Sequence, residues 1–188
     1  MVVRVVPLEK SHDSKEFDCT EEWMVLEEDR ANAADMNTFL QRRALDQAKR
    51  GVSKTFVVLE TEGMGPNRVI AYFSTSVGHL QPDDLPKVVS PNMTIPVIHL
   101  LRLAVDKKHQ GRRIGKRLLA YFFSRAVIVA HEMGIHAVVL EPLNEHVKAF
   151  YEKFGFLALP GDPERMYLSM RDLKAWLDAH EPELLSKR

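Results

Sequence analysis

The stretch Leu100-Leu101-Arg102-Leu103-Ala104-Val105-Asp106, followed by Gln110-Gly111-Arg112-Arg113-Ile114-Gly115, constrains this chain more than any other segment. The apolar run reads as a strand and the glycine-bearing stretch as a tight turn. Ile114, Leu118, Leu119, Phe122 and Ala126 then form the buried stripe of a helix expected over 112–133. Amides in such a turn have no intrahelical partner and lie at the positive end of the helix dipole, so a diphosphate can satisfy them. A nucleotide-derived cofactor is therefore expected. A dinucleotide loop would carry G-x-G-x-x-G and a P-loop would end in Gly-Lys-Ser/Thr, and this turn has neither.

A second segment, Asn144-Glu-His-Val-Lys-Ala-Phe-Tyr-Glu-Lys-Phe-Gly155-Phe156, reads as a capped amphipathic helix. Asn144 is the N-cap, Val147, Phe150, Tyr151 and Phe154 recur at helical spacing, and Gly155 stops the helix. Phe150 and Phe154 read as core. Tyr151 differs, because a buried ring leaves its hydroxyl in need of a partner.

With 188 residues, 45% of them hydrophobic, the chain can bury a real core, and one enzyme domain over 1–188 is expected. The lone Cys19 excludes an internal disulfide and reads as a plain small residue. No apolar run reaches membrane-spanning length and no signal-peptide pattern opens the chain, so a cytoplasmic protein is expected. The histidines of His131-Glu132-Met133-Gly134-Ile135-His136 are spaced wrongly for a shared helical face, and no metal site is expected.

The formal net charge is zero but unevenly placed. Segment 11–35 carries Asp13, Glu16, Asp18, Glu21, Glu22, Glu27, Glu28, Asp29 and Asp35. Segment 102–125 carries Arg102, Lys107, Lys108, Arg112, Arg113, Lys116, Arg117 and Arg125. The basic half points to an anionic ligand, or to a solvated helix face at Lys116, Arg117 and Arg125.

The path along the chain predicts an α/β (α+β mixed sheet) layout. Strands are expected at 2–6, 55–60, 69–77, 97–106 and 136–141, with a last hairpin from 157–159 and 166–170. Helices are expected over 36–49, ended by Gly51, and within 172–180. Residues 63–67 read as a loose hairpin loop, and 82–96, with Pro82, Pro86, Pro91 and Pro96, as an irregular loop.

The first motif resembles the Q/R-x-x-G-x-G/A loop of the GNAT N-acetyltransferases, and the second resembles their N-x-x-A-x-x-F-Y-x-x-x-G-F segment, with Val147 in place of Ala. Arg113 stands where the family usually has its first glycine, and an ordinary right-handed conformation is expected there. The resemblance implies a central twisted mixed β-sheet flanked by helices, with acetyl-CoA as cosubstrate. Backbone amides of Leu103 and Val105 would hold the pantetheine and thioester, and Gln110, Gly111, Arg112, Arg113, Ile114 and Gly115 the pyrophosphate. Ala104, Lys116 and Asn144 are also assigned to the cofactor site, and Tyr151 would protonate the leaving thiolate.

Phe17-Asp18-Cys19, Met36-Asn37-Thr38-Phe39-Leu40, Ser53-Lys54-Thr55-Phe56-Val57 and Arg102-Leu103-Ala104-Val105-Asp106 are similar to the acetyltransferase toxins of bacterial toxin-antitoxin pairs. The chain departs from them at Thr20, which replaces a glycine, in an acidic insert after it, and in its neutral charge. The resemblance implies transfer of acetyl to the α-amine of aminoacyl-tRNA, an antitoxin partner, and Arg42, Arg43, Lys49, Arg50, Arg112 and Arg113 clustered at the acceptor mouth. A homodimer is a further expectation. Transfer to a protein N-terminus, a lysine or a small amine, and cofactor binding without catalysis, are the other readings. An α-amine with a pKa near 8 needs less help from a base than a lysine near about 10.4. Glu141 and His99 are the base candidates.

Overall fold

The computed structural model describes residues 4–21, 24–60, 67–81, 84 and 94–185, with only the backbone of 181–185. In chain order the elements are β1 (Val5–Pro7), α1 (Glu27–Thr38), a π-helical stretch (Phe39–Arg43), α2 (Ala44–Lys49), β2 (Lys54–Leu59), β3 (Val69–Leu80), β4 (Ile95–Val105) and a 3-10 turn (Lys107–His109). There follow α3 (Ile114–Met133), β5 (Ala137–Leu140), α4 (Glu145–Glu152), β6 (Leu157–Leu159), β7 (Asp162–Ser169) and α5 (Met170–Leu185). The strands form a seven-stranded mixed sheet in the order β1-β2-β3-β4-β5-β7-β6, flanked by helices. β4 and β5 run parallel, whereas β1-β2, β2-β3, β5-β7 and β6-β7 are antiparallel.

The chain divides into two compact units, Met1–Thr75 with Arg102–Tyr121, and Ser76–Leu101 with Phe122–Arg188. In the first, Phe17, Cys19, Met36, Phe39, Leu40, Val57 and Tyr72 form a core in which the Tyr72 hydroxyl donates to Met36 O at 2.9 Å. In the second, Leu80, Ile95, Val97, Ala137, Val139 and Leu159 pack together. Phe123 there meets Trp176, Phe156 and Phe154 at ring distances of 5.3, 6.0 and 6.3 Å.

Three expectations need correction. The first helix starts at Glu27 rather than Met36, because its opening turns bury only Asp29 and Ala33 and carry no apolar stripe. The strand expected over 69–77 runs on to Leu80, through Gly78. A Cβ on Gly78 would come within 2.5 Å of His99 Nε2. Pro96 belongs to β4, near whose start a missing N–H is tolerated, and its carbonyl accepts from His136 N–H at 2.9 Å. Pro82, Pro86, Pro91, Val2, Val3 and most of the 63–67 loop lie outside the described residues.

Candidate active site

The turn between β4 and α3 is built on backbone geometry. Gly111 has φ 73° and Arg113 has φ 60°, and both are exposed, as is Arg112. Arg113 thus occupies the left-handed region, which overturns the right-handed conformation expected of it; the turn keeps its shape although the side chain costs about 1–2 kcal/mol there. The first helical bond of α3 runs from Arg117 N–H to Arg113 O at 3.2 Å. The amides of Ile114 and Gly115 precede it and are free of intrahelical partners. A Cβ on Gly115 would meet Val105 Cγ2 at 3.6 Å and Leu103 Cδ2 at 3.9 Å, ordinary contacts that an alanine would accept. This cradle fits a diphosphate, with positive φ at two positions turning amides outward ahead of a 20-residue helix.

The end of β4 supplies a second row of donors. Asp106 N–H bonds Ile70 O on β3 at 2.9 Å, so by strand alternation the amides of Ala104 and Arg102 face β3 and those of Leu103 and Val105 face away from it. The ladder from β4 to β5 covers only Val97, Ile98 and His99. Leu103 and Val105 therefore present amides that β5 does not engage, as a pantetheine arm requires. Ala104 is the exception among the expected contacts. It is buried in the core, and its amide lies on the β3 side.

Gln110 also braces the loop from within. Its side-chain Nε2 donates to Val105 O at 3.0 Å and to Cys19 O at 3.4 Å, so both side-chain donor hydrogens are spent inside the fold. Asn144 caps α4, its Oδ1 accepting from Val147 N–H at 2.9 Å. Lys116 lies exposed on the first turn of α3.

On α4, Tyr151 is 6% exposed, with Phe150 and Phe156 at ring distances of 5.2 and 5.5 Å. Gly155, at φ 88°, turns the chain at the helix end, and Phe156 N–H returns to Tyr151 O at 3.4 Å. The Tyr151 hydroxyl bonds no other described residue. Burial raises its pKa well above the ordinary phenol value, so it keeps its proton at neutral pH. A neutral phenol awaiting a partner is the state from which a proton donor to a departing thiolate starts.

Of the two base candidates, Glu141 is exposed just beyond β5. His99 is half-buried against Gly78; burial first, then the charges of Arg165 and His79, lower its pKa, so the imidazole is neutral at pH 7. The thiol of Cys19 is pushed up to about 12, by burial and then by Asp18, which makes it inert.

Charge placement within the first unit was only partly legible in advance. Two bases of the 102–125 segment are taken by two acids of the 11–35 segment. Lys107 Nζ lies 2.6 Å from Asp18 Oδ2, and Arg102 lies 3.0 Å from Asp35, which Arg43 also binds. Arg102 further stacks 4.2 Å over the Phe39 ring, where the π-helical stretch begins. Residues so far apart in sequence gave no signal of pairing beyond their opposite signs. Of the six expected acceptor-side cations, Arg43 and Arg50 are paired with Asp35 and Asp46. Arg42, Lys49, Arg112 and Arg113 are exposed, with no ion pair to another described residue.

A family model described as acetyltransferase (GNAT) domain matches residues 53–157, which include both the cradle and Tyr151. The chain belongs to the GNAT acetyltransferases. It is an N-acetyltransferase with acetyl-CoA as its cosubstrate. It is 35% identical over 142 residues to a protein of Mycobacterium tuberculosis (strain ATCC 25618 / H37Rv) named tRNA-acetylating toxin, spanning 74% of this chain and 82% of that relative. Among solved structures, AtaT complexed with acetyl-methionyl-tRNAfMet superposes with a TM-score of 0.78 at 22% identity, covering 93% of this chain and 98% of that one. AtaTR bound with AcCoA gives 0.75 at 23% identity, covering 92% and 96%. Both structures confirm the fold of this GNAT chain.

Proposed function

We propose that this GNAT enzyme transfers acetyl from acetyl-CoA to the α-amine of aminoacyl-tRNA, acting as the toxin of a toxin-antitoxin pair in the cytoplasm. The observation that carries this reading is the 35% identity, over most of both chains, to the relative named tRNA-acetylating toxin. The exposed cations Arg42, Lys49, Arg112 and Arg113 give a neutral protein local phosphate-binding capacity. No described helix is long and apolar enough to cross a membrane. The matched residues 53–157 draw on both compact units, which supports a single catalytic domain over 1–188. An antitoxin covering the site is the partner this reading requires, and a homodimer remains part of the proposal.

In this reading the amides of the 110–115 turn hold the pyrophosphate and those of Leu103 and Val105 fix the pantetheine, while acetyl-CoA supplies the thioester. The neutral α-amine forms the new C–N bond as the C–S bond breaks. Tyr151 gives its proton to the sulfur, and the proton shed by the acylated nitrogen restores the phenol through solvent. An α-amine ester is already largely neutral near pH 8, so the site needs no strong base.

The test is transfer of labelled acetyl into a bacterial extract, with and without ribonuclease. Label that enters RNA, vanishes with ribonuclease and depends on Tyr151 supports the proposal. Label confined to protein or small amines replaces it with an ordinary amine acetyltransferase.

A further inference from the structure

The exposed turn that carries Gly111 and Arg113 is held from behind by a segment nearly 90 residues upstream. Asp18 N–H donates to Asp106 Oδ2 at 3.2 Å, Lys107 N–H donates to Asp18 O at 2.7 Å, and Lys107 Nζ meets Asp18 Oδ2 at 2.6 Å. Gln110 adds its bonds to Cys19 O and Val105 O. The same segment is tied on its other side to the first helix and the π-helical stretch that follows it. Asn37 donates to Asp18 Oδ1 at 3.2 Å and accepts from Cys19 N–H at 3.0 Å, and Gln41 Nε2 donates to Phe17 O at 3.0 Å. Asp106 is 1% exposed and Phe17 2%, so the bonds they anchor are partly shielded from water, whereas the Lys107–Asp18 ion pair lies at the surface.

We infer that Asp18 is a positioning residue for acetyl-CoA: with Lys107 it holds the pyrophosphate turn in the conformation that places Arg113 at positive φ. This rests on the reading of residues 110–115 as the pyrophosphate cradle. A non-glycine residue at positive φ persists only where its surroundings over-determine it. Freed of the strap, Arg113 relaxes toward the right-handed region, and the binding-competent turn becomes a minor state. Apparent affinity then falls by the fraction of competent turns, about tenfold for the usual left-handed penalty. A glycine at 113 has no such preference, so the strap has little left to hold.

The experiment is calorimetric titration of the full chain with acetyl-CoA in a double-mutant cycle. Asp18→Asn removes the exposed ion pair to Lys107 but keeps the two backbone bonds of residue 18, so binding weakens about two- to fivefold and KM for acetyl-CoA rises, with kcat within about twofold. In the Arg113→Gly background the same change costs less than about twofold, whatever Arg113→Gly does alone. Lys107→Met, at a half-exposed side chain, repeats the cycle should Asp18→Asn fail to fold. Equal losses in both backgrounds, or no loss in either, overturn the inference. Gly111→Val separates the two readings, since a β-branched residue cannot hold φ 73°. Unchanged acetyl-CoA binding in that variant removes the cradle itself, whereas lost binding without coupling between 18 and 113 removes only the strap.

Discussion

At the scale of single residues, the proposed chemistry rests on one phenol and the backbone of the 110–115 turn on one arginine. Tyr151 is buried among aromatic rings, and burial alone raises its pKa, so it stays protonated beyond the pH at which an ordinary tyrosine ionises. The rate should climb with pH to about 8 as the α-amine loses its proton, then stay level to at least about pH 10. A descending limb below that point in the pH profile of kcat would show that another group gives the proton. Tyr151→Phe should keep acetyl-CoA binding within about twofold while kcat falls by about 10²-fold or more, measured by titration and steady-state assay. Arg113 is the only non-glycine residue with positive φ among those described. Arg113→Gly should raise unfolding stability by a few tenths to about 1 kcal/mol in a urea titration, the relief of backbone strain being partly offset by glycine's larger unfolded-state entropy. The sequence placed Arg113 at a family glycine but not its φ. A type of residue states a preference, and the strap through Asp18 and Asp106, which overrides it, lies far away in the chain.

At the scale of elements, what could be read in advance followed periodicity. The stripe of Ile114, Leu118, Leu119, Phe122 and Ala126 lies in the core, and α4 has the expected cap and stop. The start of α1 was hidden because Glu27, Glu28 and Asp29 favour a helix N-terminus through the dipole rather than through an apolar stripe. The π-helical stretch was hidden too: Tyr72 bonds Met36 O in the helix just before it and Arg102 stacks on Phe39 at its start, and both contacts come from strands far along the chain. Asn144 shows where a motif reading and a physical reading part. Its side-chain oxygen is committed to the cap of α4, the helix that carries Tyr151. Asn144→Ala should cost about 1 kcal/mol of stability by thermal unfolding, and Asn144→Asp or Ser should restore most of it. If Asn144 instead acts by contacting the cofactor, the alanine variant will raise KM for acetyl-CoA with no change in unfolding, and Asp will not rescue it.

At the scale of the molecule, a net charge of zero is compatible with a nucleic-acid substrate only if cations are left unneutralised where the RNA lies. The pairing of Asp18 with Lys107 and of Asp35 with Arg102 and Arg43 removes much of the apparent asymmetry between the acidic and basic segments. What survives is a smaller set, in which Arg42 and Lys49 stand outside the 110–115 turn and carry no ion pair to a described residue. If these two touch the acceptor end of aminoacyl-tRNA, each contributes one released counterion. The slope of log KM for the RNA against log salt should then flatten by about 0.7–1 in Arg42→Gln and again in Lys49→Gln. The acetyl-CoA KM should stay unchanged in both, because neither residue lies in the cradle. A small amine used as acceptor in the same enzyme provides the control, since it carries no phosphate and its KM should be insensitive to either substitution. An unaltered RNA slope in the double variant would move the contact surface to the cations of the 108–117 segment, where acetyl-CoA and RNA would compete for the same charges and the two KM values would rise together.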